Sequence, residues 1–491
     1  MMKKITIFGL TLILFLGSCR VGPRYNSPAS VAPENWKNSH DKEETAPSSD
    51  CWWEVFEDPI LNGLEEQAVE NNPNLYTAFE RIFEARAIAC INKADLYPQL
   101  SLNPAGSYSN MNVKFHGLPV AALPGLNLRR FVRIHDLEYT VPVNMSYEVD
   151  LWGKIQSQYE SAFLNAEAQE EAFLATLLTL TADVASNYFN LKTLDAQIDL
   201  YEKTLEIRRQ TLALTQSRFS AGLVPYTDVT NSMQLVANTE SDYHDIVRQR
   251  NLIENALAVL LGMPAPELSL EHNPLSGNPP VIPAGIPSDV LLRRPDIAEA
   301  ERTMASDHAL IGAAYADYFP SLNITGALSN SWYEIVLVNS KRVITWQNRL
   351  WSLGANVAQF LFDAGKRCCN VEAKWARYRE DLGNYEQTVM TAFREVEDAL
   401  NNIEQEAKQS ASLANAVEAA TQTEQLSLRR YTNGLSNFLD LLDSQRNELD
   451  AKRNYLNVQG ARFQSTISLI KALGGGWSSP NEAVDVPDEC L

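Results

Sequence analysis

The sequence predicts a mixed fold, in which long antiparallel helical hairpins form an α-barrel and four β-strands per chain form part of a membrane β-barrel shared between copies. Three observations predict it: an internal repeat, two helical stretches of unusual length, and a strand pair before each stretch. The chain has 491 residues, of which 45% are hydrophobic and 21% are charged. This composition is typical of ordered proteins and excludes disordered and collagen-like chains.

An export signal is predicted over residues 1–18. Two lysines precede an apolar run over residues 5–16, and small residues follow it. The sequence Leu16-Gly17-Ser18-Cys19 resembles the bacterial lipobox, in which the cysteine is acylated, for example with palmitate, and becomes the mature N-terminus. A plain cleaved signal peptide is the alternative. With the lipobox, residues 19–70 form a lipidated, extended N-terminal segment.

An internal repeat organises the rest of the chain. Asn72-Pro73 is echoed by Arg294-Pro295, and Tyr97-Pro98 is echoed by Phe319-Pro320, in both cases 222 residues later. Further echoes lie 212 residues apart: Gly153-Lys154 and Gly365-Lys366, Arg218-Phe219-x-x-Gly222-Leu223 and Arg430-Tyr431-x-x-Gly434-Leu435, Leu261-Gly262 and Leu473-Gly474. The chain is therefore one unit used twice.

A strand pair is predicted in each copy. From Leu137 to Val149 apolar and polar residues alternate, as in a sheet with one apolar face, and the partner strand lies near residues 100–111. In copy two, residues 322–325 and 351–357 correspond to these two strands, which gives four strands per chain. An ordinary antiparallel sheet in a globular domain is the alternative.

Each strand pair is followed by a helical stretch of unusual length. No Gly or Pro occurs from Ile155 to Ala221, and only Gly383 occurs from Lys366 to Asn433. At 1.5 Å per residue, roughly 65 residues give a helix of about 100 Å. Apolar residues recur about every 3.5 positions, as in coiled coils. These helices need partners along their length, and a glycine lets each reverse into an antiparallel hairpin.

The landmarks divide the chain into predicted segments. Each copy holds a helix, a strand pair and a long hairpin, and a linker joins the copies. The segments are a helix at 71–98, a strand pair at 99–150, a hairpin at 151–262, a linker at 263–293, a helix at 294–319, a strand pair at 320–363, a hairpin at 364–473 and a tail at 474–491.

The strand count requires several copies of the chain in one assembly. Small outer-membrane barrels have about eight strands, so four strands cannot close a barrel. An open edge in lipid leaves unpaired backbone groups that cost several kcal/mol each. The same assembly places the long helices side by side in a hollow cylinder. The sequence therefore predicts a tunnel that stands on a membrane pore.

Several motifs resemble a known family, the TolC-like outer membrane factors, in the lipoprotein branch that serves tripartite drug-efflux pumps of the resistance-nodulation-division type. The motifs are Cys19-Arg20-Val21-Gly22-Pro23, Trp52-Trp53-x-x-Phe56-x-Asp58-Pro59, Arg293-Arg294-Pro295-Asp296-Ile297, Phe319-Pro320, Phe362-Asp363-x-Gly365 and Leu473-Gly474-Gly475-Gly476-Trp477. The resemblance implies a homotrimer with a twelve-strand barrel in the bacterial outer membrane and a large helical conduit in the periplasm. It also implies a passive route for drugs or other small molecules, loaded by an inner-membrane transporter and a periplasmic adaptor protein.

The resemblance assigns roles to the two hairpin turns. It implies that six residues form the tips that meet the adaptor: Arg218, Phe219, Gly222, Arg430, Tyr431 and Gly434. Arginine and aromatic residues are enriched at protein interfaces, which fits that role. A helix end without a partner is the alternative.

The resemblance places the periplasmic gate just past the second turn, at Leu439 and Asp443. These residues lie four apart on one predicted helix face. In a trimer, the three copies of Leu439 would form an apolar constriction, and the three copies of Asp443 would form an acidic ring that favours cations. The alternative is an ordinary ion pair between Asp443 and Arg446. Copy one has Asn231 at the position of Asp443, so the two hairpins differ at the mouth.

Other classes of function are disfavoured by the residues. The formal net charge of −20 argues against a nucleic-acid partner. Six scattered histidines and the absence of P-loop, Rossmann, HExxH and GxSxG patterns predict no enzyme, no cofactor and no metal site. Two alternatives remain, a type I protein-secretion conduit and, less favoured, a non-conducting coiled-coil envelope protein. The surface loop at 114–133 and the pair Cys368-Cys369 receive no interpretation from the sequence.

Overall fold

The computed structural model describes residues 20–28, 33, 35–37, 51–114, 131–283, 293–337 and 342–475. The predicted signal peptide, the lipidation residue Cys19, most of the long surface loop and nearly all of the tail lie outside the described residues. The helices are α1 (Pro59–Asn71), α2 (Pro73–Ala94), α3 (Lys154–Ser220), α4 (Tyr226–Leu260), α5 (Pro295–Ala316), α6 (Lys366–Thr432) and α7 (Phe438–Ala472), and the strands are β1 (Gln99–Leu102), β2 (Ala105–Lys114), β3 (Phe131–Val149), β4 (Ser321–Leu337) and β5 (Arg342–Ala358). Among the described helices, none combines the length and the apolar character needed to cross a membrane.

The chain forms two compact units, and each draws on both copies of the repeat. The sheet unit comprises Met1–Ser27, Glu84–Ala166 and Thr303–Asp381, and the hairpin unit comprises Pro28–Phe83, Glu167–Arg302 and Leu382–Leu491. Neither unit corresponds to one copy of the repeat, because the two copies contribute their strands to one sheet and their hairpins to one bundle.

The sheet is antiparallel throughout, with β3 and β4 in its middle. β1 and β2 pair along one side of β3, β4 pairs along its other side, and β5 pairs with β4. In register, Val149 lies opposite Leu322, which lies opposite Val357. Within the described residues, the outer edges of β1, β2 and β5 have no strand beside them.

The prediction of four strands per chain is corrected to five. The first predicted strand is divided at Asn103-Pro104 into β1 and β2, which both pair with β3 in one continuous register. Proline has no backbone N–H, so it cannot donate to the ladder at that point. The other strands have 17 to 19 residues, because the pairing continues beyond the segments whose alternation is clear in the sequence.

The helices have identical lengths in the two copies. α2 and α5 have 22 residues each, α3 and α6 have 67 each, and α4 and α7 have 35 each. Their first residues differ by 222 for the first pair and by 212 for the other two pairs, which are the offsets of the sequence repeat. The sequence offset therefore identifies structurally equivalent residues.

Contacts also recur at these offsets. A Cβ added at Gly262 would lie 2.1 Å from the Asn71 carbonyl oxygen, and one at Gly474 would lie 2.8 Å from the Arg293 carbonyl oxygen. Only glycine permits this close approach of two backbones. The residues that follow Asn71 and Arg293 also make equivalent contacts. Asn72 donates to the Leu260 carbonyl, and its counterpart Arg294 donates to the Ala472 carbonyl.

The hairpin unit has an aromatic core built on the Trp-Trp-x-x-Phe-x-Asp-Pro motif. Trp52 and Trp53 are buried against α3, where Trp52 Nε1 donates to Thr181 Oγ1 at 3.2 Å. Asp58 caps the N-terminus of α1 and accepts hydrogen bonds from Tyr188 and from Lys192. The motif therefore fixes the start of α1 on the surface of the long helix.

Candidate functional site: the hairpin tips and the start of α7

Two tight turns end the long helices at equivalent places. Gly222 and Gly434 have φ values of +73° and +70°, a left-handed conformation that glycine adopts without strain. Leu223 N donates to the Arg218 carbonyl at 2.9 Å, and the equivalent bond from Leu435 measures 2.8 Å. These bonds satisfy the last carbonyls of α3 and α6. Both copies of the tip motif are therefore helix C-termini of the same geometry.

The two tip aromatics lie in different environments. Phe219 is 43% exposed and packs on Tyr226, with ring centroids 5.3 Å apart. Its counterpart Tyr431 packs on Phe438 in the same way, at 5.7 Å, but is only 2% exposed. Leu441 and its neighbours enclose that second pair in an apolar cluster. Hairpin one therefore presents an aromatic surface at its tip, whereas hairpin two buries its own.

Arg218 connects the tips of the two hairpins. Its guanidinium donates to the carbonyls of Tyr431 and Thr432 at the end of α6, at 2.7 and 2.5 Å. The same group lies 4.7 Å from the centroid of the Tyr431 ring, a cation–π contact. The guanidinium of its counterpart Arg430 is exposed and has no protein partner among the described contacts. Equivalent arginines thus serve different purposes.

The predicted gate residues lie in the first two turns of α7. The Asn437 side chain caps this helix by accepting from Asp440 N at 2.9 Å. Leu439 is 58% exposed, and Asp443, one turn further on, is exposed as well. Among the ion pairs of the described residues, none joins Asp443 to Arg446. In one chain, both predicted gate side chains therefore point to solvent from one helix face.

A buried polar layer, which the sequence did not reveal, lies in the same bundle. Arg208 is 4% exposed, its Nη1 donates to Thr239 Oγ1, and its Nε has no partner among the described residues. Burial lowers the pKa of Arg208. Gln445 donates to Thr211 Oγ1 and to Glu424 Oε1, and burial raises the pKa of Glu424. The packing between the hairpins is thus partly polar.

The described part of the chain offers no metal centre, because no group of three His, Cys, Asp or Glu side chains converges there.

The segment next to the predicted lipidation site is docked on the sheet unit. Arg20 forms an ion pair with Glu160, and Val21 N donates to the Trp152 carbonyl at 3.1 Å. This contact places the N-terminal segment beside the end of β3.

The arrangement is matched by proteins of known class. The family model described as outer membrane efflux protein matches residues 64–263 and 286–475. The chain belongs to the outer membrane efflux protein family. Members are conduits rather than enzymes, and the chain is accordingly an outer membrane channel of a tripartite efflux system.

Named relatives in this family span nearly the whole chain. The solvent efflux pump outer membrane protein SrpC of Pseudomonas putida is 32% identical over 97% of this chain and 98% of its own length. The outer membrane protein OprJ of Pseudomonas aeruginosa is 29% identical, over 97% of each chain. The cation efflux system protein CusC of Escherichia coli O6:H1 is 29% identical over 97% of this chain and all of its own.

Solved structures of outer-membrane channels share the fold. OprN superposes with a TM-score of 0.81 at 27% identity, over 94% of this chain and 100% of its own. The open state of the Neisseria gonorrhoeae MtrE channel gives a TM-score of 0.76 at 28% identity, over 93% of this chain and 98% of its own. These matches confirm the predicted combination of long helical hairpins with a β domain.

Proposed function

We propose that three copies of this chain join their sheets into a twelve-strand barrel in the outer membrane, with a helical conduit in the periplasm. β1 and β2 lie end to end along one side of β3, so each chain fills four strand positions of that barrel. The observation that carries the proposal is the pair of open edges, on β1 with β2 and on β5. In lipid, each unpaired backbone group costs several kcal/mol, so the edges must be paired. Because every neighbouring pair in the sheet is antiparallel, β5 of one copy meets β1 of the next in antiparallel orientation.

Apolar exposure along β5 supports the same assembly. Leu350, Trp351 and Leu353 are 61%, 76% and 71% exposed. Leu350 and Trp351 are consecutive, so they lie on opposite faces of the strand. Apolar side chains on both faces of an edge strand are unfavourable in water, so we expect lipid and a neighbouring copy to bury them.

The hairpin tips dock the periplasmic adaptor protein in this proposal. Phe219 is 43% exposed, and the turn residues Leu223 and Leu435 are 73% and 70% exposed. Arg430 adds an exposed guanidinium beside the second turn. Exposed aromatic, arginine and aliphatic groups around two rigid turns are the composition of a protein interface. An inner-membrane transporter then loads the conduit through the adaptor.

Leu439 and Asp443 form the periplasmic gate in this proposal. Both side chains are exposed in one chain and lie on one face of α7. A threefold axis brings three copies of each together, so that leucines narrow the passage and carboxylates favour cations.

Cys19 anchors the chain to the outer membrane in this proposal. The lipobox supplies the acylation site, and the adjoining Arg20 and Val21 are docked on the sheet unit. Acyl chains add about 0.8 kcal/mol of membrane affinity per buried CH₂. The anchor therefore enters the leaflet beside the periplasmic end of the sheet.

The conduit passes small molecules rather than polypeptides in this proposal. Relatives of this chain are named for export of toluene, cations and pyoverdine. These names favour drugs or other small molecules over the type I secretion alternative. Such varied cargo on one fold also implies that the transporter, and not the conduit, selects the substrate.

The experiment is ion conductance of the purified full-length protein in a planar lipid bilayer. A trimeric channel gives stepwise, ohmic current increments as single assemblies insert. A non-conducting envelope protein gives none, and that result would overturn the proposal. Heat-denatured protein in the same detergent controls for leakage caused by the detergent alone.

A further inference from the structure

Among the described residues of the sheet unit, three exposed cysteines form no disulfide. Cys90 is on α2, and Cys368 and Cys369 are in the first turn of α6. The repeat gives two of them structural counterparts in the same chain. Cys90 corresponds to Gly312 on α5 at the offset of 222, and Cys369 corresponds to Ser157 on α3 at the offset of 212.

The two counterparts touch each other. A Cβ built on Gly312 lies 3.8 Å from the Cβ of Ser157 and 3.1 Å from its hydroxyl oxygen. Disulfides join cysteines whose Cβ atoms are about 3.5–4.5 Å apart. The helix starts are equivalent in detail, since Ser157 N donates to the Gly153 carbonyl and Cys369 N donates to the Gly365 carbonyl, both at 3.0 Å. The contact between α3 and α5 therefore has the Cβ spacing of a disulfide.

The repeat maps this contact onto the boundary between copies. Within one chain, β3 leads into α3, α5 leads into β4, and β3 pairs with β4. The counterparts of these elements are β5 leading into α6, and α2 leading into β1. When β5 of one copy pairs with β1 of the next, α6 packs against the next copy's α2 as α3 packs against α5.

We propose that Cys90 of one copy and Cys369 of its neighbour form a disulfide that covalently closes the ring of subunits. The inference rests on the proposed trimer and adds to it a modification site. Each chain contributes one cysteine to each of its two boundaries, so a closed trimer holds three such bonds. The exported location fits, because disulfides form and persist outside the cytoplasm.

An ion pair supports the same register at the boundary. Lys154 at the start of α3 binds Asp317 after α5, with Nζ and Oδ1 2.7 Å apart. The counterparts are Lys366 and Asp95, so the repeat retains both charges. Among the described contacts Lys366 has no acidic partner, and Asp95 accepts one hydrogen bond, from Gln99. Across the boundary, Lys366 of one copy and Asp95 of the next form the ion pair that Lys154 and Asp317 form within one chain.

Cys369 rather than Cys368 faces the neighbour. Consecutive residues on a helix point about 100° apart, so the two thiols cannot share one direction. Cys368 lines a cleft of its own chain with Tyr315, Tyr318 and Trp375, on the side of α6 that packs against α5. Cys369 lines a different cleft, with Lys154, Ala316 and Asp317. The repeat selects Cys369 for the boundary, because it is the counterpart of Ser157, whose side chain meets Gly312 on α5.

The chemistry is thiol–disulfide exchange with an oxidant that is itself a disulfide, such as oxidised glutathione. One protein thiolate attacks a sulfur of the oxidant, which releases one thiol and leaves a mixed disulfide. The thiolate of the other subunit attacks the protein sulfur of that mixed disulfide and releases the second thiol. Two electrons pass to the oxidant, and the two protons are carried by the released thiols.

The test is non-reducing gel electrophoresis of the full-length protein in detergent after treatment with oxidised glutathione. We expect covalent dimers and trimers that revert to monomers with dithiothreitol, and a cross-linked peptide between residues 90 and 369 by mass spectrometry. Cys90→Ser and Cys369→Ser each abolish these species. The matched control Cys368→Ser retains them. Mixed assemblies of the Cys90→Ser and Cys369→Ser chains give dimers and no covalent trimers.

Native mass measured on the same samples distinguishes a failure of the disulfide from a failure of the trimer. Trimers that never cross-link would overturn the disulfide and leave the proposed channel intact. Cross-linking that survives Cys369→Ser but not Cys368→Ser would overturn the assigned register. A monomeric native mass would overturn the trimer and the disulfide together.

Discussion

Arg218 at the end of α3 holds the end of α6, since its Nη1 lies 2.7 Å from the carbonyl oxygen of Tyr431. The bond joins the tip of one hairpin to the tip of the other within a single chain. Its guanidinium gives the Tyr431 carbonyl, which already accepts from Gly434 N, a second donor, and it also donates to the Thr432 carbonyl. The tip of hairpin two, which leads into the proposed gate, is therefore held by hairpin one.

Replacing Arg218 with Ala should loosen the tip of hairpin two. Hydrogen bonds that involve a charged group contribute about 1.5–3 kcal/mol, so local opening around residues 431–438 should become easier by about that amount. Amide hydrogen exchange over this segment measures the change. Arg430→Ala is the matched control, because the equivalent arginine lacks such bonds among the described contacts. Equal protection in wild type and Arg218→Ala would refute the tether.

Replacing Leu439 and Asp443 together with Ala should raise the single-channel conductance. The leucine methyl groups and the carboxylates narrow the passage if three copies converge on the axis. Current steps in a planar bilayer measure the effect, and the paired change at the equivalent positions Thr227 and Asn231 of copy one is the control. A double variant that conducts like wild type would remove the gate assignment and leave the channel in place.

Asp443→Asn should separately lower the preference of the channel for cations. A ring of carboxylates attracts cations, and the amide keeps the shape while removing the charge. The reversal potential in a salt gradient reports the selectivity and should shift toward zero. An unchanged reversal potential would show that the carboxylates lie away from the ion path.

Glu65 should make stability depend on pH. It is fully buried on α1, and burial raises the pKa of its carboxyl to about 9, with the Ala185 backbone N–H partly offsetting that effect. The folded state therefore binds the proton more tightly than the unfolded state. The free energy of unfolding is therefore highest below the ordinary pKa of a glutamate, and it falls as the pH rises toward 9. Between pH 5 and pH 8 this loss is about 4 kcal/mol, at about 1.4 kcal/mol per pH unit.

Glu65→Gln should remove this dependence. Unfolding followed by far-ultraviolet circular dichroism should show the variant gaining stability over wild type at pH 8 far more than at pH 5. Glu66→Gln, at the exposed neighbouring position, is the control and should change little at either pH. A stability difference between Glu65→Gln and wild type that is the same at both values would contradict the buried neutral carboxyl.

Asp58→Ala should destabilise the hairpin unit strongly. Burial alone would raise the pKa of Asp58, but the hydrogen bonds from Lys192 and Tyr188 outweigh it and lower that pKa. Removing one partner of a buried ion pair costs about 3–5 kcal/mol, because the other charge remains buried. The double variant Asp58→Ala/Lys192→Met should recover part of the loss. Equal unfolding free energies for both variants would argue against a coupled pair.

The repeat made the helical part of the fold predictable. Two copies of one pattern predict helices of equal length, and the glycines at 222 and 434 mark their ends. Pro104 also indicates the break between β1 and β2, since proline cannot donate a hydrogen bond to a strand ladder. The alternation of apolar and polar residues around this strand is weak, so the sequence pattern predicts one strand there instead of two.

The inequality of the two tips could not be predicted from the repeat. Phe219 and Tyr431 share their local sequence and their turn, yet only Tyr431 is enclosed by side chains of the hairpin bundle. Burial depends on partners distant in the sequence, which a local motif does not specify. Arg208 is a partial exception. It continues the apolar seam of α3 at coiled-coil spacing, and a charge in that seam signals a buried polar contact.

In the described part of one chain the edges of the sheet are unpaired, so the chain must assemble with copies of itself. The native mass of the Cys19→Ala protein, which lacks the acylation site, tests it most directly because no lipid anchor then contributes to membrane affinity. We expect three chains per particle, stable only in detergent or lipid. A monodisperse, folded monomer in plain buffer would contradict it.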